Sequence, residues 1–274
     1  MSRSLPDFEA PPVVETALGV EFVPLARWSI PHYGLLWEKI RGDYPNFAIQ
    51  PPLGSQVEKF GSEARVVPPS FQVVPVSAPE VRCWFTEPSQ SRLLQVQPDR
   101  FIHNWRKPKV EGARYPHYEK IRPIFEREWG RFGEFLRGES LGEPEVVQCE
   151  VTYVNHLDRG VGWESFGDLG NVVRFWTDAS TQFLPRAEAM ILNVSYVIPS
   201  NKGRLHVALQ PAFRPDDAKE VLQLTLTARG RPVSSRTQDV LDWLDLGHEW
   251  VVRGFADFTT DAMHRLWRRT GDRE

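Results

Sequence analysis

Cysteine and long apolar runs are scarce in this sequence, and each scarcity excludes a class of protein. The two cysteines among 274 residues, Cys83 and Cys149, cannot form a disulfide framework or complete a four-ligand zinc site alone. We expect both to be small, buried, apolar side chains. No run approaches the roughly 18 apolar residues that span a bilayer. Because the first residues also lack the apolar core of a signal peptide, we expect a cytosolic protein.

The sequence also lacks a strong excess of charge of either sign. Its 33 lysine and arginine residues face 36 aspartate and glutamate residues, and the formal net charge is -3. A nucleic-acid-binding domain is usually strongly basic, so this balance argues against nucleic acid as the partner, although it does not describe a local patch. With 41% hydrophobic and 25% charged residues, the composition is that of a globular protein with a sizeable core.

Established catalytic and cofactor motifs are missing as well. None of the seven histidines forms the i, i+4 helical pair or the i, i+2 strand pair that brings two imidazoles to one face. No Gly-x-Ser-x-Gly nucleophile elbow occurs. The glycines at 167–170 lack the rest of a phosphate loop or a dinucleotide fingerprint. We therefore assign no catalytic residue, no metal site and no cofactor, and expect a non-enzymatic protein.

Aromatic residues are plentiful by contrast. Ten tryptophans and sixteen phenylalanines make up most of the 12% aromatic content. Four tryptophans, Trp28, Trp37, Trp163 and Trp176, lie outside the strongest apolar stripes. Tryptophan is enriched at interfaces and in apolar pockets, which would fit a binding protein, but we favour core packing for these four.

The same order of elements occurs twice along the chain. A strand-like segment opens each half, further strand-like runs follow, and a long helix closes the half. The strand-like runs are 13–23, 81–86, 92–96 and 101–105 in the first half, and 145–154, 189–198, 205–213 and 222–228 in the second. In the first half, residues 43–79 precede the run 81–86 and contain seven prolines. This composition predicts a long irregular connection, anchored by Phe47, Phe60 and Phe71.

Apolar stripes define the helices. Ring and aliphatic side chains recur at spacings of three and four at Ile121, Phe125, Trp129, Phe132 and Leu136, which predicts a helix over 117–136. A second stripe over 240–258 predicts a helix from about 237 that includes His248, which we interpret as a hydrogen-bonded core residue. Residues 259–261 predict a kink or a new N-cap. A short helix is expected at 33–40. Arg265, Arg268 and Arg269 are expected to form a favourable set of charges at the C-terminus of the last helix.

These elements predict an α+β fold, in which a strongly bent antiparallel sheet, or two sheets, packs against two long helices. The halves, 1–142 and 143–274, are expected to form one compact unit. The pseudo-duplicated order is like that of the TATA-box-binding saddle or of a helix-grip fold, a comparison that concerns element order and implies no function.

Polar residues gather on two strand-like runs, and these are the candidate binding cluster. The first run supplies Arg100, His103, Asn104 and Trp105, and the second supplies Asn155, His156, Asp158 and Arg159. Strand ends and their loops often carry sites. Alternation places His103 and Trp105 on one face and Asn104 on the other. These residues either line a pocket or partner groove, or seal a strand end through a polar network with Asn155 and His156.

Several runs of the sequence are similar to those of one family. They are residues 11–15, 95–106 and 148–156, and, near the end, His248-Glu249, Phe255, residues 258–260, His264 and Trp267. Together they resemble a sporadically distributed family of prokaryotic proteins of unknown function, over nearly the whole chain. The resemblance implies no activity, substrate or catalytic residue. Sporadic occurrence implies genes carried on mobile or defence-related islands.

Three functions follow as hypotheses. The first is a cytosolic binding protein that acts through a protein partner, in a small operon or defence-type system. The second is a helix-grip-type pocket protein that binds or modifies a small apolar ligand. The third is a nucleic-acid-binding saddle, which the net charge disfavours. The sequence does not determine the oligomeric state, and a homodimer is one alternative.

Overall fold

An antiparallel sheet and two long helices form the body of the chain. The computed structural model describes residues 5–60, 81–110, 112–176, 183, 185, 187–214 and 216–273. In chain order the elements are β1 (Leu5–Phe8), β2 (Val13–Phe22), α1 (Ile30–Ile40), β3 (Asn46–Gln50), β4 (Arg82–Thr86), β5 (Arg92–Gln97), β6 (Arg100–Arg106), α2 (Tyr118–Gly138), β7 (Val146–Asp158), β8 (Leu192–Ile198), β9 (Gly203–Phe213), β10 (Glu220–Gly230), α3 (Thr237–Phe258), α4 (Asp261–Leu266) and β11 (Arg269–Arg273).

The two halves meet in the middle of one sheet. Within the described residues its nine strands run in the order β3-β4-β5-β6-β2-β7-β10-β9-β8, and β1 pairs with β11 in a separate two-stranded sheet. In the central β2–β7 pair, Leu18 lies opposite Val151 and Val20 lies opposite Cys149. The α+β class is therefore confirmed. From the centre outward the strand order repeats, with one outer strand fewer in the described part of the second half.

Strand alternation gives the sheet two different faces. The helix face carries apolar side chains such as Leu18, Val20 and Phe22, which pack against α2 and α3. The ring of Phe22 lies 6.2 Å from that of Trp129 in α2. The opposite face, here called the open face, carries mainly polar side chains, among them Glu15, Glu21, Gln95, Gln97, Asn104, Gln148 and Glu150.

Helix α3 lies unusually close to the sheet. A Cβ on Gly247 would lie 2.9 Å from Val151 Cγ2, and one on Gly254 would overlap the side chain of Leu205. Two glycines on the sheet-facing side thus let the helix backbone approach β7 and β9.

Some expectations need correction. Residues 43–79 are not wholly irregular, because β3 pairs with β4; residues 51–60 have no regular structure, and 61–79 lie outside the described residues. Phe47 is 58% exposed and is not an anchor, whereas the ring of Phe60 lies 4.4 Å from the Arg204 guanidinium. Arg269 does not end a helix but opens β11, because pairing with β1 satisfies its backbone.

Other features agree with the sequence. Trp163 is buried, and the three other unassigned tryptophans pack against the core. Both cysteines are buried and free. Thr260 caps α4 by accepting a hydrogen bond from the Met263 amide, which explains the break at 259–261. In the described ranges, no helix is long and apolar enough to cross a membrane.

Candidate functional site

A cavity of about 890 Å³ lies between the helix face of the sheet and α3. The sheet contributes Val13, Tyr153, Asn155 and Leu226, and α3 contributes His248, Val251, Val252 and Phe255. Strand β1 and Pro11 form a further wall, and the last wall consists of Tyr115 and His117, which precede α2, and Tyr118 and Glu119, which begin it. Aliphatic and aromatic carbon dominates this lining, with a small set of polar groups, and that is the composition of most small-molecule pockets.

A hydrogen-bonded chain of rings occupies the inner wall. The Tyr115 hydroxyl donates to the Tyr153 hydroxyl at 2.7 Å, and the Tyr153 hydroxyl lies 2.9 Å from Nδ1 of His248. On its other side the imidazole stacks on the ring of Tyr118, with centroids 3.9 Å apart. The Tyr118 hydroxyl in turn donates to Asp245 at 2.7 Å. Contacts on both sides therefore hold the imidazole of His248 in one orientation.

Burial keeps this wall uncharged. It lowers the pKa of His248 to about 4, against an ordinary value of 6.5. It also raises the pKa values of Tyr115, Tyr118 and Tyr153 well above their ordinary value. At neutral pH the histidine is a neutral imidazole and the three tyrosines keep their protons.

Asn155 contributes an unsatisfied acceptor. Its side chain is almost fully buried, and Nδ2 donates to the carbonyl oxygen of Leu224 at 3.0 Å. Its Oδ1 has no hydrogen-bond partner among the described residues. Buried amide oxygens are rarely left in this condition, because the missing hydrogen bond is costly.

Charged groups lie at the mouth of the cavity. Nδ1 of His117 is 3.5 Å from Oδ1 of Asp7, and the Thr270 hydroxyl donates to the same carboxylate at 3.0 Å. His117 has φ 65° and ψ 159°, a backbone region that is essentially reserved for glycine. A strained histidine of this kind at a pocket entrance indicates a functional constraint on the side chain.

A second polar arrangement crosses four strands on the open face. Oε1 of Gln95 accepts hydrogen bonds from Arg82 at 2.6 Å and from the Trp84 indole at 3.0 Å. Nε2 of Gln95 donates to Asn104 at 2.7 Å, and the Asn104 amide donates to Glu15 at 2.6 Å. This row of hydrogen bonds runs across strands β4, β5, β6 and β2, and it satisfies the side-chain amide of Asn104.

Residues 51–60, here called the strap, lie along the open face. The Glu58 carboxylate binds the Arg204 guanidinium and the His206 imidazole, each at 2.5 Å. Burial alone would raise the pKa of Glu58, but the hydrogen bonds from His206 and Arg204 outweigh it, and the pKa is lowered. The strap is thus anchored by an ionised carboxylate.

Two glutamines of the sheet hold the backbone of the strap. Oε1 of Gln97 accepts from the Leu53 amide at 3.0 Å, and its Nε2 donates to the Leu53 carbonyl at 3.1 Å. Oε1 of Gln148 accepts from the Glu58 amide at 2.9 Å, and its Nε2 donates to the Gln56 carbonyl at 3.2 Å. Each side-chain amide pairs with a peptide group as a neighbouring strand would.

The eight residues of the candidate cluster do not meet at one place. Arg100, Asn104 and His156 lie on the open face, and His103, Trp105 and Asn155 lie on the helix face. Asp158 is the last residue of β7, and Arg159 follows it in a turn. The network expected between the two runs does not form, because β2 separates β6 from β7. Of the eight, Asn155 alone lines the cavity.

The remaining members have ordinary structural partners or none. Arg100 pairs with Glu21, Asp158 with Arg214 and Arg159 with Glu220. The ring of Trp105 lies 5.3 Å from that of Tyr115, behind the cavity wall. His156 and Asp158 line a separate groove of about 1030 Å³. His103 is fully buried, and neither ring nitrogen has a hydrogen-bond partner in the part of the chain that the structure describes.

Sequence reasoning missed most of the cavity. Tyr115, His117 and Tyr118 lie together before and at the start of α2, whereas Asp7 and Tyr153 come from distant segments, and none of the five forms a recognised motif with another. One signal was present: Tyr153 and His248 both occupy apolar-face positions of their elements. Across the described ranges, no group of three or more histidine, cysteine, aspartate or glutamate residues is placed to hold a metal ion.

No protein-family model matches the chain, and neither does any curated protein or solved structure. The family resemblance of the sequence therefore stays a prediction.

Proposed function

We propose that the protein binds a small, largely apolar molecule in the cavity between the sheet and α3. The observation that carries this proposal is the lining, in which aliphatic and aromatic side chains surround about 890 Å³ and a few polar groups converge at one wall. Pockets of 300–1,000 Å³ of this composition are typical small-molecule sites. Burial lowers the pKa of His248 to about 4, so this imidazole is poorly suited to act as a general base at neutral pH.

An uncharged dye that fluoresces in apolar surroundings, N-phenyl-1-naphthylamine, tests the proposal. We expect saturable fluorescence with the native protein. Val252→Trp should lower the affinity by more than roughly tenfold, because the indole would fill space on the α3 wall.

Leu246→Trp is the matched control, because Leu246 lies on the same helix and outside the cavity lining. Equal dye binding by both variants, with circular dichroism and thermal unfolding showing that both are folded, would place the dye elsewhere and contradict the proposal.

A protein partner is the second candidate function, and the strap supports it. The open face already holds one extended segment through Gln97 and Gln148, with Arg204 and His206 on its carboxylate. An extended segment of a partner with a glutamate at the corresponding position would make the same contacts. A cytoplasmic location remains part of this hypothesis.

A labelled peptide with the sequence of residues 51–60 tests this second function in trans. Glu58→Ala should loosen the strap, and the variant should then bind the peptide more tightly than the native protein does. A control peptide with glutamine in place of the glutamate should bind less well. Fluorescence polarisation that stays flat up to millimolar protein would count against this face as a docking surface.

Nucleic acid remains the least favoured partner. On the open face Glu15 pairs with Arg106, Glu21 with Arg100 and Glu150 with Arg229. These carboxylates neutralise the arginines that a nucleic-acid surface would present to phosphates.

A further inference from the structure

The polar groups on the inner wall of the cavity specify which kind of ligand group could bind there. The direction of the hydrogen-bonded chain follows from its first bond, in which the Tyr115 hydroxyl is the donor. The Tyr115 hydroxyl donates to Tyr153, so the Tyr153 hydroxyl keeps its own proton to donate to Nδ1 of His248. A neutral imidazole that accepts at Nδ1 carries its proton on Nε2.

His248 therefore offers a donor to the cavity. Its imidazole is part of the lining, and Nε2 makes no hydrogen bond to a described residue. The ring cannot easily turn away, because Tyr118 stacks on it and Tyr153 holds Nδ1.

Asn155 offers the complementary acceptor. It follows Tyr153 by two residues on the same face of β7, and its Oδ1 has no partner in the described part of the chain, while Nδ2 donates to the Leu224 carbonyl. Asn155 is part of the cavity lining, and its terminal torsion is broad enough to adjust to a ligand. A ligand that supplies the missing donor would remove the cost of this unsatisfied oxygen.

The uncharged inner wall offers no counter-ion to an ionised ligand group. The inner wall holds neutral His248, Asn155 and protonated tyrosines, so a carboxylate or ammonium would lose its hydration without a counter-ion there. An anion would also pass Asp7 and Glu119, which line the cavity.

We propose that the ligand carries an uncharged hydroxyl group, as a phenol or an alcohol does, which donates to Oδ1 of Asn155 and accepts from the imidazole of His248. This inference rests on the proposed ligand-binding function and names the class of ligand. The rest of the ligand is apolar and lies against Leu226, Val251 and Phe255.

Four probes of nearly equal shape test it: 4-butylphenol, 4-butylanisole, butylbenzene and 4-butylbenzoate. Isothermal titration calorimetry at pH 7 measures the affinity of each. We expect 4-butylphenol to bind roughly tenfold more tightly than butylbenzene, because it satisfies Asn155 as well as filling apolar space. The anisole, which accepts but cannot donate, should fall between them, and the benzoate should bind most weakly.

Two variants connect the preference to its residues. In Asn155→Leu and in His248→Phe, the ratio of the phenol affinity to the butylbenzene affinity should fall toward one. The ratio is the readout, because it is insensitive to a general change in the pocket. Circular dichroism and thermal unfolding identify a variant that does not fold. In that case the inference is tested by the other variant and by the order of the four probe affinities for the native protein.

Each result bears on a different statement. If none of the four probes binds, the proposed function fails and the hydroxyl inference fails with it. If butylbenzene binds as tightly as the phenol, or the benzoate binds best, the cavity is a binding site but the hydroxyl inference is wrong. A phenol preference that survives in both variants overturns the assignment to Asn155 and His248.

Discussion

Replacement of His103 by leucine should stabilise the protein. The imidazole is fully buried on the helix face, beside Leu18 and Leu94 of the neighbouring strands, and neither ring nitrogen is hydrogen-bonded to a described residue. An unsatisfied buried polar group costs about 1–3 kcal/mol. Leucine is close in volume and fully apolar, so the free energy of unfolding at pH 7 should rise by about 1–3 kcal/mol.

The gain should be larger in acid. Burial, together with the Arg92 and Arg127 cations, lowers the pKa of His103 to about 3, whereas an unfolded histidine has a pKa of about 6.5. Above the pKa of histidine in the unfolded chain, the neutral His103 costs the folded protein no stability through protonation. As the pH falls from that value toward the pKa of His103 in the folded protein, stability is lost, because the unfolded chain binds a proton that the folded protein cannot. Between pH 7 and pH 5 this linkage removes about 2 kcal/mol, which the leucine variant should retain.

Urea unfolding followed by tryptophan fluorescence at pH 7 and pH 5 measures both effects. His32→Leu is the control, because the His32 ring accepts a hydrogen bond from the Ser29 amide at 2.9 Å near the surface. We expect no stabilisation from that change. If His103→Leu lowers stability at pH 7, or if it loses as much stability as the native protein between pH 7 and pH 5, the imidazole is not an unsatisfied neutral group.

Three further predictions concern glycine, histidine and cysteine. Gly230→Ala should lower the free energy of unfolding by roughly 3 kcal/mol or more, because the new Cβ would overlap the Lys202 carbonyl oxygen. Gly34→Ala should raise it by about 0.5–1 kcal/mol, because a Cβ at this position of α1 meets open space. Thermal unfolding of the two variants compares these effects. His117→Gly should relieve the positive φ and raise stability by about 1 kcal/mol, and dye titration shows whether binding falls as stability rises. The thiols of Cys83 and Cys149, both buried and with burial raising the pKa of Cys83 to about 11, should react with Ellman's reagent only after unfolding; rapid reaction of the native protein would contradict their placement.

The repeated parts of the fold were predictable from sequence, because periodicity reports which side of an element is buried. The stripe from Ile121 to Leu136 identified α2 to within two residues at its C-terminal end, and alternation placed His103 and Asn104 on opposite faces. Strands β1 and β11 were missed for the opposite reason. They are short, and each is a strand only because the other, more than 250 residues away, pairs with it.

The cavity could not be predicted in the same way. Its polar wall depends on Tyr115, Tyr153 and His248, which are brought together by the approach of α3 to β7 and by a connection that precedes α2. Periodicity assigns Tyr153 and His248 to buried positions, and buried polar side chains are most often satisfied core residues. What marks a site here is a cavity-lining side chain, Asn155, whose Oδ1 has no partner among the described residues, and this combination exists only in three dimensions.

The cavity lies where the two halves of the molecule differ. In the first half the space between α2 and the sheet is filled by stacked rings, with Phe101 5.1 Å from Phe132 and 5.6 Å from Trp129. Under α3 the packing is different: Val251 and Val252 face about 890 Å³ that stays open. Both halves form its walls, because β1, Val13 and the start of α2 come from the first half and Tyr153, Leu226 and α3 come from the second. The shared strand order does not itself require a cavity, and an apolar lining with a few hydrogen-bonding groups on one wall is the composition of a small-molecule site.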